Sequence, residues 1–189
     1  MIKEFNKNII IALELIKKGE IIIIPTDTIY GFSFDAYNSR TVEKFNKLKQ
    51  RNTPLSIIVD SLKMAQEYAE IKDEKTFHSL LPGPFTCLYP KKKSNLSDFV
   101  TANSELIGIR IPKHKFSVSI VEKLNRPITT TSVNIHGEKP IVTISEIKKK
   151  FINFPFFNEG DLISQGSTII NFAVNPPKII RQGEGIFKV

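Results

Sequence analysis

The sequence predicts a single α/β domain, residues 1–189, built on a mixed sheet. Three observations lead there. Short β-branched apolar runs alternate with amphipathic stretches of helical period along the whole chain. No Gly/Ser linker, low-complexity tract or internal repeat interrupts them. A length of 189 residues with 41% apolar side chains suffices for one sizeable core and leaves two full domains cramped.

Residues 6–18 place Ile9, Ile10, Leu13 and Ile16 on one helical face, with Asn6 as cap and Gly19 closing the helix in a left-handed conformation. The following Ile21–Ile24 run is apolar on both faces and reads as a buried strand, which delivers Pro25-Thr-Asp-Thr-Ile-Tyr-Gly31 to its end. Ser39 can cap a helix carrying Val42, Phe45 and Leu48, and Leu55–Val59 is a second strand. Ser61 and Asp73 cap two short helices before Pro82-Gly-Pro84 breaks the chain and Phe85–Pro90 resumes as strand. Leu106–Ile111 is a strand stopped by Pro112, Phe116–Leu124 a helix and Pro127–Val133 extended. Thr143 with Glu146 forms a capping box for a helix through Lys150, and Ser167–Ala173 and Ile179–Val189 complete the β content. The polar, lysine-led segment 91–105 reads as a mobile loop.

Lys and Arg number 27 against 19 Asp and Glu, a net charge of +8. This excess has two readings: an anionic partner such as nucleic acid, nucleotide or membrane surface, or a compositional bias in a chain rich in Lys, Ile, Asn and Phe. Lys91–Lys93 and Lys148–Lys150 read as solvated charge runs. No apolar run approaches the roughly 20 residues that span a bilayer, and the N-terminus lacks the pattern of a signal peptide. The single Cys87 excludes an internal disulfide, and His78, His114 and His136 lack metal-ligand spacing. A soluble protein of a reducing cytoplasm, without a membrane partner, is expected.

The chain has no GxxxxGK[ST] loop and no GxGxxG after its first strand; the late Gly183-Glu-Gly185 reads as a turn. A bound nucleotide would therefore be held by side chains. Lys49, Arg51, Arg110 and Arg181 sit at or near element ends where they can converge. Arg110 interrupts an apolar strand, where a guanidinium needs a partner or ligand unless alternation turns it to solvent. Thr26, Thr28 and Tyr30, and then Thr129-Thr-Thr-Ser-Val-Asn134, concentrate small polar groups that are costly inside a core but also suit strand edges. Asp27 can serve as a base, a metal partner or a turn residue, and Tyr30 as a base-stacking platform or part of the core.

Pro25-Thr-Asp-Thr-Ile-Tyr-Gly31, Lys49-x-Arg51 leading to Pro54-Leu-Ser56, Pro82-Gly-Pro-Phe-Thr86, Gly108-Ile-Arg-Ile-Pro112, Thr131-Ser-Val-Asn134 with Gly137, Ser167-Thr-Ile-Ile170 and Ile180-Arg-Gln-Gly183 resemble, in this order, the motifs of the YrdC/Sua5 family. The likeness runs from about residue 8 to residue 183. It implies a twisted mixed sheet flanked by helices, with a concave basic face that holds the site. It also implies a nucleotidyltransferase that joins L-threonine, bicarbonate and ATP, with Mg2+, into threonylcarbamoyl-AMP and pyrophosphate, for the t6A base of tRNA. By the resemblance, Lys49, Arg51, Ser132, Asn134, Pro140 and Arg181 hold ATP, and Lys49 and Arg51 act in catalysis. Thr26, Thr28, Tyr30, Arg110, Thr130 and Ser167 line the threonine pocket; Arg110 pairs with the threonine carboxylate, and Tyr30 supplies a wall and a hydroxyl.

Two departures stand out. The family usually has a longer link between Arg51 and Pro54, often with another basic residue, whereas here Asn52-Thr53 is all there is. Val133 stands where a small alanine is common. The chain resembles the family's short form, and t6A transferase machinery would take up the product. The competing class is a non-catalytic protein of the same fold that binds tRNA or double-stranded RNA. A carbamoyl-adenylate-forming homologue fits less well, since such domains sit in longer chains with zinc-finger portions.

Overall fold

The computed structural model describes residues 2–134 and 138–188; His136 and Gly137 of the small-polar motif, and Val189 at the end of the last expected strand, lie outside the described residues. Helix α1 (Ile2–Lys17) begins ahead of the expected Asn6 cap and turns Ile9, Ala12 and Ile16 into the core. Ile10, expected on that face, is 56% exposed, because a stripe at i, i+3 and i+7 leaves its neighbour to the side. Gly19, at φ 79°, closes the helix as expected.

Among the described residues eight strands make one mixed sheet: β1 (Ile22–Ile24), β2 (Gly31–Ser33), β3 (Ser56–Ile58), β4 (Phe85–Pro90), β5 (Leu106–Arg110), β6 (Ile128–Ser132), β7 (Thr168–Asn171) and β8 (Lys178–Arg181). Their spatial order is β1-β2-β6-β3-β5-β4-β7-β8. The β3–β5 and β4–β7 pairs are parallel and the others antiparallel. Strand β2 is too short for an alternation to register in the sequence. Strand β8 ends at Arg181 rather than continuing to the C-terminus, because the Gly183 and Glu184 amides bond back to Thr168 Oγ1 and the Gly166 carbonyl.

The remaining helices are α2 (Ser39–Leu48), α3 (Leu62–Tyr68), α4 (Glu74–Leu80), α5 (Asp98–Thr101), α6 (Lys115–Leu124) and α7 (Ile144–Lys150). Asn38 rather than Ser39 caps α2, its Oδ1 accepting from the Thr41 amide at 3.1 Å. Ser61 and Asp73 cap α3 and α4 as the sequence predicts. Segment 91–105, expected as a mobile loop, contains α5, whose Val100 is fully buried and whose carbonyl accepts from Leu55. Among the described residues no helix is long and apolar enough to cross a membrane.

Period-two alternation gives the central strands two unlike faces. Ile57, Cys87 and Ile109 pair across β3, β5 and β4 and are fully buried. On the other face, small and polar residues meet where the site forms: Ser56 lies opposite both Gly108 and Thr130, and Gly31 opposite Ser132. A Cβ on Gly108 would come within 2.6 Å of Ser56 Oγ, so the residue type is dictated by close approach.

Candidate functional site

This polar face forms the floor of a cavity of about 180 Å3. Pockets for drug-sized ligands span about 300–1,000 Å3, so the enclosed part suits a smaller molecule. Thr130 and Ser132 on β6, Ser56 on β3, Arg110 on β5, Thr86 on β4 and Arg181 on β8 reach it from neighbouring strands. Arg51 after α2, Pro140, and the segment Gln165–Ser167 complete the wall. Three of the four cations singled out in the sequence thus meet in one cleft.

Arg110 is 6% exposed. Its Nη2 donates to Asp27 Oδ1 at 2.8 Å and to Thr28 Oγ1 at 3.2 Å, while Asp27 Oδ2 accepts the Lys113 amide at 3.0 Å. Arg110 Nε is buried with no hydrogen-bond partner among the described residues. Burial pushes the Asp27 carboxyl above its ordinary value and the Arg110 guanidinium pulls it back. Burial lowers the Arg110 pKa and Asp27 raises it. Asp27, which the sequence left open as base, metal partner or turn residue, is a counter-ion.

Thr26 and Thr28, expected in the pocket, stand behind the wall. Thr26 Oγ1 donates to the Ile29 carbonyl at 2.7 Å and accepts the Thr28 amide at 3.2 Å, which fixes the turn that carries Asp27. Tyr30 borders the cavity, but its ring packs on Phe156 with centroids 5.0 Å apart and its hydroxyl is bonded elsewhere: it donates to the Gly160 carbonyl at 2.7 Å and accepts the Glu159 amide at 2.9 Å.

Lys49 and Asn134 lie beside the cavity rather than on its wall. Lys49 Nζ donates to Asn134 Oδ1 at 2.6 Å and to the Asn134 carbonyl, and Ser132 Oγ donates to the same Oδ1 at 3.4 Å. The lysine is 8% exposed and sits over the Phe32 ring. Burial, reinforced by Arg51, lowers its pKa to about 8.

On the opposite wall Arg181 Nη2 donates to the Ser167 carbonyl at 2.7 Å and to Ser167 Oγ at 3.3 Å, and burial lowers its pKa too. Ser167 Oγ lies 2.8 Å from Thr86 Oγ1, both residues being buried. Thr86 and Ser56 were absent from the sequence-derived site, although a lone hydroxyl inside an apolar strand is the signal that marks each. Gln165 and Gly166 carry no such signal.

Among the described residues no cluster of three or more His, Cys, Asp or Glu can hold a metal ion. Both Asp27 oxygens are committed to Arg110 and Lys113.

Residues 14–183 match the Sua5/YciO/YrdC family model, which is described as "Telomere recombination". A Methanocaldococcus jannaschii protein provisionally named threonylcarbamoyl-AMP synthase is 37% identical over 191 residues, spanning 94% of this chain and 87% of its own. The Pseudoalteromonas atlantica threonylcarbamoyl-AMP synthase is 31% identical over 151 residues, 76% of this chain and 80% of its own. Escherichia coli YciO superposes with a TM-score of 0.87 at 21% identity, over 95% of this chain and 91% of that one, a likeness of fold. Pyrococcus abyssi Sua5 complexed with L-threonine superposes with a TM-score of 0.83 at 26% identity over 93% of this chain; the chain spans about half, 54%, of that relative.

Proposed function

The chain belongs to the Sua5/YciO/YrdC family, and on that premise we propose that it is an L-threonylcarbamoyladenylate synthase, a nucleotidyltransferase that consumes L-threonine, bicarbonate and Mg-ATP. The observation that carries the reading is the set of three guanidinium groups, Arg51, Arg110 and Arg181, around one hydroxyl-lined cavity. An amino-acid carboxylate and a polyphosphate together need that many fixed cations, and no glycine-rich phosphate loop is present to share the work.

In the reaction the threonine amine adds to bicarbonate with loss of water, and a carbamate oxygen then attacks the α-phosphorus in line and expels pyrophosphate. Such chemistry asks for positioning and charge stabilisation rather than a covalent nucleophile. Arg110, which lines the cavity, receives the threonine carboxylate, with Thr130, Ser167 and the neighbouring Thr86 around the rest of the amino acid. Asp27 neutralises the buried guanidinium and aims it. Ser132, Asn134, Pro140 and Arg181 hold the nucleotide, and Lys49 and Arg51 offset charge on the phosphates during transfer. P. abyssi Sua5 complexed with L-threonine supports an amino acid in this cleft. The adenylate product would pass to the machinery that modifies tRNA.

The test is to incubate the protein with Mg-ATP, bicarbonate and L-threonine and to measure pyrophosphate and the adenylate. Release that requires both threonine and bicarbonate is expected. Release independent of threonine overturns the reading, and no release overturns it in favour of the non-catalytic RNA-binding alternative.

A further inference from the structure

Arg51 lines the cavity, yet the protein already occupies four of the five N–H donors that a guanidinium carries. Nε donates to the Thr53 carbonyl at 3.2 Å, and Nη2 donates to the Thr53 hydroxyl at 3.0 Å and to the Pro54 carbonyl at 2.8 Å. Nη1 donates to Thr131 Oγ1 at 2.9 Å. The Nε–Nη2 edge is one of the forks that grip an oxyanion with two parallel bonds. Here that edge is turned onto the chain itself, and one Nη1 N–H is left for a ligand.

The local sequence accounts for the arrangement. Helix α2 ends in a tight turn with Gln50 at φ 47°, and the Arg51 amide bonds back to the Asn46 carbonyl at 3.0 Å. Only Asn52 and Thr53 separate Arg51 from Pro54, so the chain returns directly beneath the side chain that has just left it. Thr53 contributes two of the four acceptors but is exposed and does not line the cavity.

We infer that Thr53 is a positioning residue for Arg51. By occupying the Nε–Nη2 edge it holds the guanidinium as a fixed, single-point cation facing the cavity rather than as a mobile fork. A long side chain fixed in advance has less rotamer freedom to lose when the nucleotide arrives. What Arg51 touches rests on the synthase reading above; the clamp itself rests on the four hydrogen bonds.

Thr53→Val removes the hydroxyl at nearly constant shape and leaves the carbonyl bond, and Thr53→Ser returns the hydroxyl. In the full chain Thr53→Val should lower kcat for threonine-dependent pyrophosphate release about tenfold, the order expected for one lost bond to a charged group. The KM for threonine should stay unchanged and Thr53→Ser should recover the rate. The Arg51 Nε–H resonance, assigned by its disappearance in Arg51→Lys, should be sharp in the wild type and Thr53→Ser and broadened by exchange in Thr53→Val. A wild-type rate together with an unchanged Nε–H resonance in Thr53→Val overturns the inference. If the wild-type protein releases no pyrophosphate, the synthase reading falls, while the resonance alone still decides the clamp: broadening in Thr53→Val upholds it and no change refutes it.

Discussion

Arg110 on β5 and Asp27 in the turn after β1 form a buried ion pair, Nη2 to Oδ1 at 2.8 Å, with side chains only 7% and 8% exposed. The pair couples the middle of the sheet to a turn near its edge strand, and it decides how a lone guanidinium survives in an apolar strand. Burying both charges costs several kcal/mol that their attraction only partly offsets, so the pair serves placement more than stability.

Removing one partner should expose that cost. Asp27→Ala leaves Arg110 buried without a counter-charge and should lower unfolding free energy by about 3–5 kcal/mol in urea titrations. Asp27→Asn, which keeps an oxygen acceptor, should lose less, and adding Arg110→Met to Asp27→Ala should recover much of the loss. Equal stability for Asp27→Ala and the wild type would contradict the pairing.

Lys49 sets a pH dependence. Its ammonium loses a proton near pH 8 in the folded chain against 10.5 as its ordinary value. Between those values unfolding takes up a proton, so ligand-free stability should rise with pH across that window through this group. A bound phosphate favours the charged ammonium, so the effect on nucleotide binding has the opposite sign. ATP affinity should fall as pH rises past about 8, and calorimetry near pH 8 in two buffers of different ionisation heat should report proton uptake, absent in Lys49→Met. Lys49→Ala and Arg51→Ala should each cut turnover about 100-fold, the scale seen when a preorganised charge-stabilising donor is lost, with folded circular-dichroism spectra.

Thr86 and Ser167 join β4 to the segment entering β7 through their hydroxyls at 2.8 Å. Thr86→Val should cost about 1 kcal/mol in urea titrations and raise the KM for threonine, because it leaves Ser167 Oγ with the longer Arg181 bond alone. An unchanged KM would remove Thr86 from the site.

Gly183 lets two backbones cross. A Cβ there would overlap the Gly166 carbonyl oxygen and lie 2.6 Å from the Ser167 carbonyl carbon. Gly183→Ala should therefore destabilise the fold by about 1–3 kcal/mol through overpacking, measured by thermal and urea unfolding, and weaken threonine binding by displacing Ser167.

Most of the element order was readable because it is written in neighbouring residues. The 3.6-residue stripe of α1, the proline stop after β5 and the caps of α3 and α4 are patterns that span a few positions, and backbone sterics and hydrogen bonding act over that range. The same holds for the site's raw material: Arg110 among isoleucines and the hydroxyl run 129–134 are conspicuous in any local window. The family motifs extended that reading to Arg51, Arg181 and Ser167.

Partners are another matter, because they depend on which strand ends lie side by side. The order β1-β2-β6-β3-β5-β4-β7-β8 is a property of the folded chain that no local window contains. It is what brings Asp27 to Arg110 and Thr86 to Ser167. It also turns the Tyr30 hydroxyl onto Gly160 and sets Lys49 against Asn134. Residue type and local period told which groups carry charge and hydroxyls; long-range packing assigned each group its partner, since a buried polar atom takes whichever acceptor the sheet sets within reach.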